Sequence, residues 1–187
     1  MDFPKTLILA TSQAPELRKP YLRPKEFPRT EYIALAERIQ AGVLDYAIYD
    51  SPGWNRYRQM ERRSRLDLHL AIAGYRRARS YDVVLLSEQV AIPYMMLQKM
   101  MGRRAGTAYV SAHSSQKQAN LVRRLSLFSN LDIAVANARA QEAFLTEQMG
   151  IPRRALRIVL YAVDETFYTP GKGGGGYVLT SGMSHRD

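Results

Sequence analysis

Tyr81-Asp-Val-Val-Leu-Leu-Ser87 is followed by a segment from Glu88 to Met101 that stops at Gly102, and then by Thr107-Ala-Tyr-Val-Ser-Ala112. Val83 to Leu86 is apolar at four consecutive positions, the pattern of a strand covered on both faces, as strands of a parallel sheet are. Residues 89 to 101 have the length of three to four helical turns, and Gly102 stands where a left-handed helix stop is expected. Two such strands joined by a helix make a βαβ unit, whose strands run parallel.

The alternation continues in both directions. Further strands are predicted from Thr6 to Ala10, Leu44 to Tyr49, Asp132 to Ala136 and Arg157 to Leu160. Thr30 is placed to cap a helix reaching about Ala41, with Ile33, Ala36 and Ile39 inward and Gly42 as its stop. A long basic helix is predicted from about Arg58 to Arg79. Ser115-Gln-Lys-Gln118 matches a capping box opening a helix to about Phe128, and Asn137 is placed to cap a helix from Ala138 to Met149 before Gly150 and Pro152. The expectation is an α/β fold: a Rossmann-like, doubly wound, mainly parallel sheet with helices on both faces. Ligands of such sheets bind at the carboxyl ends of the strands. That rule points to Ser12 and Gln13, to Ser87 and Glu88, to His113, Ser114 and Ser115, and to Asn137.

Composition narrows the function classes. The chain of 187 residues, 46% hydrophobic, buries one substantial core but not two. No apolar run approaches the ~20 residues that span a bilayer, and Thr6-Leu-Ile-Leu-Ala10 is too short for a signal-peptide core. The absence of cysteine excludes disulfides and thiolate chemistry and fits a cytoplasmic protein. The formal charge of +10 favours polyanions: nucleic acid, an anionic membrane surface or phosphorylated substrates. The same arginines, in pairs such as Arg76-Arg77, Arg103-Arg104, Arg123-Arg124 and Arg153-Arg154, read equally as solvated helix ends.

Several chemistries lack their residues. The turn after the first strand, Ala10-Thr-Ser-Gln-Ala-Pro15, has none of the glycines that admit a dinucleotide pyrophosphate. Gly171-Lys-Gly-Gly-Gly-Gly176 lacks the ending of a phosphate loop and reads as a linker. His69, His113 and His185 are far apart in sequence and no cysteine accompanies them, so no metal site is assigned. His113 closes a predicted buried strand ahead of a helix N-terminus, where an imidazole faces substrate oxygens and anions; a loop histidine without chemistry fits the same position. Ser114 and Ser115 read as helix caps before catalytic groups.

The segment Asp132-Ile-Ala-Val-Ala-Asn137, then a helix, Met149-Gly-Ile-Pro152, Leu156-Arg-Ile-Val-Leu160 and Tyr161-Ala-Val-Asp164-x-x-Phe167-x-x-Pro170 resembles, in order and spacing, one known series. It is similar to the end of the N-terminal domain in family 4 of the retaining nucleotide-sugar glycosyltransferases. There a helix ending Gly-Ile-Pro precedes a strand and a Gly-Val-Asp-x-x-x-Phe-x-Pro turn. A second Rossmann-like domain then opens as Tyr177-Val-Leu-Thr-Ser-Gly182 does. Here Ala162 replaces the usual glycine, and the Phe and Pro spacing differs slightly. Residues 81 to 87 and 107 to 113 resemble the family's third and fourth strands.

The resemblance implies the N-terminal half of a two-domain GT-B fold. Residues 1 to 170 would form the acceptor-side domain, 171 to 176 a Gly-rich linker, and 177 to 187 the first strand of a donor-binding domain. It implies transfer of a sugar from a nucleotide-diphosphate donor to an acceptor hydroxyl with retention, without a cofactor or obligatory metal. His113 would line the cleft near the transferred sugar, and Ser12, Gln13, Ser87, Glu88, Ser114 and Asn137 would line the acceptor side. Arg186 is a candidate contact to the donor diphosphate, or an ordinary surface arginine. The family's glycine-rich first turn is replaced by Ser12-Gln13-Ala14-Pro15, and its donor-clamping residues belong to the second domain, so the chain alone is expected to show no transferase activity. The acceptor would be a glycan or a lipid-linked molecule. For a lipid-linked one, the basic helix 58 to 79 is the candidate contact with an anionic membrane at its cytoplasmic face. The rival class is a basic, non-enzymatic α/β module that binds nucleic acid or other polyanions. Its arginines are dispersed over several elements, and no nucleic-acid signature interleaves aromatic residues with them.

Overall fold

The computed structural model describes residues 3–12, 30–50, 61, 66–111 and 116–160. Six strands in this set form one sheet: β1 (Thr6–Leu9), β2 (Gly42–Leu44), β3 (Val83–Ser87), β4 (Gly106–Ser111), β5 (Ile133–Ala136) and β6 (Leu156–Ile158). They lie in the order β2-β1-β3-β4-β5-β6, and every pair is parallel. The helices are α1 (Glu31–Ile39), α2 (Leu68–Arg77), α3 (Glu88–Met101), α4 (Gln116–Arg124) and α5 (Gln141–Ala143), the last running into a π-helical turn, Phe144–Gln148. The architecture is the Rossmann-like α/β arrangement expected.

The strand order distributes the helices unequally. The chain moves one way from β1 to β2 and the opposite way through β3, β4, β5 and β6, so among the described helices right-handed crossovers put α1 alone on one face and the later ones on the other. Burial follows this division. Leu7, Leu9, Val84, Leu86, Tyr109, Ala134 and Ala136 join Leu70, Tyr75, Tyr94, Val122 and Leu145 in one core, to which α1 contributes nothing. Along β3 the exposure alternates, Val84 and Leu86 buried, Val83 and Leu85 half-buried. Gly74 lets α2 lie close against β1: a Cβ there would run into the side chain of Leu9.

The element ends differ from the expected ones where a local hydrogen bond overrides the residue-type signal. Gly42 is not the stop of α1; Gln40 is, in the left-handed region at φ 53°, with the Ala41 N–H closing on the Ala36 carbonyl at 2.8 Å. Gly42 instead opens β2, where a Cβ would lie 2.5 Å from the Tyr81 hydroxyl oxygen. The strand expected from Leu44 to Tyr49 ends at Leu44, because Asp45 turns the chain. Its Oδ1 accepts the Ala47 N–H at 2.9 Å and starts the 3₁₀ turn Tyr46–Asp50.

The long helix expected from Arg58 to Arg79 is not continuous. Asp67 precedes α2 at φ −83°, ψ 64°, and the Leu68 N–H bonds to the Leu66 carbonyl in a tight turn. The helix expected to run to about Phe128 ends at Arg124. Ser126 sits at φ 47°, and the Leu127 and Ser126 N–H groups close on the carbonyls of Val122 and Arg123, each at 3.0 Å, the Schellman pattern without its usual glycine. Asn137 does not cap a helix. Gln141 reaches back, its Oε1 accepting the N–H groups of Asn137 and Ala138 at 2.9 and 3.2 Å. Gly102 and Gly150, at φ 89° and 73°, stop their helices as expected. The expected linker 171 to 176 and the strand from Tyr177 lie outside the described residues.

Candidate functional site

The direction of chain travel reverses between β1 and β3, and the crevice left at such a switch point is where open α/β sheets bind ligands. A cleft of about 500 Å³ lies there. Its floor is apolar, made by Ile8 of β1, Leu85 of β3 and Val110 of β4. One wall is α1 with Glu31, Tyr32 and Leu35, and the rim carries Thr11, Ser12, Ser87 and Asn137. Among the described residues a single helix, α1, covers this face, and the cleft lies beside it over β3 and β4.

Side chains bonded to backbone hold the rim. The Ser87 hydroxyl donates to the Leu9 carbonyl at 2.9 Å and accepts the Thr11 N–H at 3.0 Å, tying the exits of β1 and β3 together. The Tyr32 hydroxyl donates to the Ser12 carbonyl at 3.1 Å, joining α1 to the rim. The Asn137 amide donates to the Ser111 carbonyl at 3.2 Å, fixing the exit of β5 to that of β4. Helix α3 begins directly after Ser87, so the positive end of its dipole lies at the same edge.

The expected positions Ser12, Ser87 and Asn137, on three separate elements, thus line one cleft. Glu88 is the first residue of α3; its side chain, like Gln13, His113, Ser114 and Arg186 entire, lies outside what the structure describes. Tyr32 and Leu35 were not foreseen at the site. They stand on the half of α1 that an inward-face reading assigns to solvent. Among the described residues no group of three His, Asp or Glu side chains is arranged to hold a metal ion.

A second polar cluster, also unforeseen, surrounds the start of α2. Glu61 Oε1 accepts the His69 N–H and lies 2.7 Å from His69 Nδ1. The Tyr46 hydroxyl bridges both oxygens of Asp67 at 3.0 and 3.1 Å. Burial pushes the Asp67 carboxyl up to about 6; the Glu61 charge adds to the rise and the Tyr46 bond opposes it. Burial likewise raises the Tyr46 hydroxyl.

No protein-family model matches the chain, and no curated protein matches it. Among the described residues no helix is long and apolar enough to cross a membrane. The cleft combines an apolar floor with hydroxyl and amide groups on its rim and the Glu31 carboxylate on its wall.

Proposed function

We propose that the chain is the acceptor-side domain of a retaining nucleotide-sugar glycosyltransferase. The observation that carries this reading is the switch-point cleft, with Ser12, Ser87 and Asn137 on its rim and Ile8, Leu85 and Val110 beneath. The order of motifs from Asp132 to Pro170 supports it.

In this reading the acceptor sugar lies with its carbon face on the floor, and the rim orients one of its hydroxyls towards the donor. Ser87 acts by holding the rim, since its hydroxyl proton is committed to the Leu9 carbonyl. His113, which follows β4 in the sequence, orients the reacting groups. Charge developing on the leaving diphosphate is met by cationic side chains, Arg186 among them, and by helix N-termini. Residues 177 to 187 begin the donor-binding domain.

The test is a titration of the isotope-labelled chain with octyl glucoside below its micellar concentration, with UDP-glucose and with an oligonucleotide. The expected result is that the glucoside shifts the backbone amides of Thr11, Ser12, Ser87 and Asn137, and that Ser12→Trp abolishes the shifts. Glucoside shifts that bypass these residues would sink the reading. Oligonucleotide shifts confined to the cleft would replace it with the polyanion-binding one.

A further inference from the structure

In a parallel sheet whose helices return antiparallel, every helix C-terminus comes to the amino edge of the strands, opposite the cleft. Here that edge is basic. Arg76 and Arg77 close α2, Lys99 stands in the last turn of α3, and Arg123 and Arg124 close α4. The connections bind these ends into one surface. The Arg104 guanidinium lies 3.9 Å from the Tyr75 ring centre of α2 and donates to the Tyr75 carbonyl at 3.0 Å. The Tyr75 hydroxyl donates to the Gly102 carbonyl at 2.7 Å, and Lys99 donates to the Leu125 carbonyl after α4.

Helix dipoles account for basic residues at helix ends. They do not account for what lies between them. Met100 and Met101, the last residues of α3, are 79% and 61% exposed, and the crossover order sets α3 between α2 and α4. Phe3, ahead of β1 on the same edge, is 52% exposed. Beside them a polar recess of about 380 Å³ is lined by Arg103, Ser129, Asn130, Asp132 and Arg154, with Arg103 paired to the Asp132 carboxylate.

We propose that the amino edge of the sheet docks on an anionic lipid bilayer, its arginines against the headgroups and Met100 and Met101 in the interfacial layer. Charge complementarity draws the surface to any polyanion. The methionines decide among polyanions, because a bilayer interface buries an apolar side chain flanked by bases and a phosphodiester backbone does not. Docked this way, the cleft at the carboxyl edge faces away from the bilayer. The inference does not rest on the transferase reading.

The test is co-sedimentation of the full chain with vesicles of phosphatidylcholine, alone or with about a third phosphatidylglycerol. Binding is expected to the anionic vesicles only and to fade as salt is raised. Arg76→Ala/Arg77→Ala should weaken it at least about tenfold. Met100→Ser/Met101→Ser should weaken it several-fold at unchanged melting temperature, whereas Ser12→Trp on the far edge should leave it intact. Equal binding to neutral vesicles overturns the proposal. So does binding that the methionine pair does not affect while an oligonucleotide competes fully, which marks a nucleic-acid surface, and so does loss confined to the Ser12→Trp variant.

Discussion

Ser87 and Asn137 show how a polar residue at a strand exit is committed before any ligand arrives: one hydroxyl and one amide, each bonded to a neighbouring carbonyl, set the shape of the rim. Two other residues carry consequences for stability. Among the described residues the buried Tyr94 hydroxyl has no partner at hydrogen-bond geometry; Gln98 lies near enough to act on it electrostatically, but its amide donates to the Ala105 carbonyl. Tyr94→Phe should therefore leave stability within about 1 kcal/mol of the parent, on the stabilising side, as chemical denaturation would show; a loss above that would mean the hydroxyl has a partner. Asp67 has its carboxyl raised from an ordinary 3.8 to about 6, so the folded state favours the protonated form. Its contribution to stability is full below about pH 4 and is lost as pH rises through about 6. Asp67→Asn should flatten the melting temperature between those values, and an unchanged pH slope would remove Asp67 as its source. None of this was legible in the sequence. Asp67 and Tyr46 are 21 positions apart, and only the packing of the 3₁₀ turn against the start of α2 joins them.

At the scale of elements, periodicity announced the strands and the residue types announced some helix ends. Five of the six predicted strands overlap β1 and β3 to β6, because parallel strands under helices are apolar at consecutive positions, a signal that needs no tertiary context, while the strand expected from Leu44 to Tyr49 shares only Leu44 with β2. Helix ends were legible where glycine supplies the left-handed residue, at Gly102 and Gly150, and not where Gln40 and Ser126 adopt it. The interruption at Asp67 was hidden because charged residues fill an exposed helix as readily as a turn. Gly74 shows the limit of propensity scales. Alanine there would gain about 1 kcal/mol of helix propensity, but its Cβ meets the Leu9 side chain in the core. Overpacking costs about 1–3 kcal/mol, so Gly74→Ala should destabilise the protein by roughly 1 kcal/mol net. A gain in the unfolding midpoint would show that α2 can move off β1. The same alanine at Gly102, where nothing lies within 4 Å of the built Cβ, would be opposed by φ 89° alone.

The strand order has a consequence that no single strand carries: among the described residues, one face of the sheet is thick and the other thin. The place of the cleft was legible, since Ser12, Ser87 and Asn137, which line it, follow from the rule that ligands meet the carboxyl ends of strands. Its floor and its α1 wall were not, because they depend on which face each crossover takes. Leu85 and Leu86 test the asymmetry directly. They are adjacent in β3 and chemically identical. Leu86 is fully buried beneath the helices of the thick face, whereas Leu85 is half-buried and floors the cleft. Leu86→Ala should cost about 3 kcal/mol, with a cavity the close-packed core cannot refill. Leu85→Ala should cost about 1 kcal/mol, because solvent already reaches part of the side chain. Octyl glucoside binding should reverse the order: Leu85→Ala enlarges the floor against which a sugar ring rests and weakens the complex, while Leu86→Ala, where it remains folded, binds as the parent does. Denaturation midpoints and the glucoside titration, run on the two variants side by side, separate stability from site. Equal stability losses would mean that the thin face is as well covered as the thick one, and equal affinities would mean that the ligand does not reach the floor of β3.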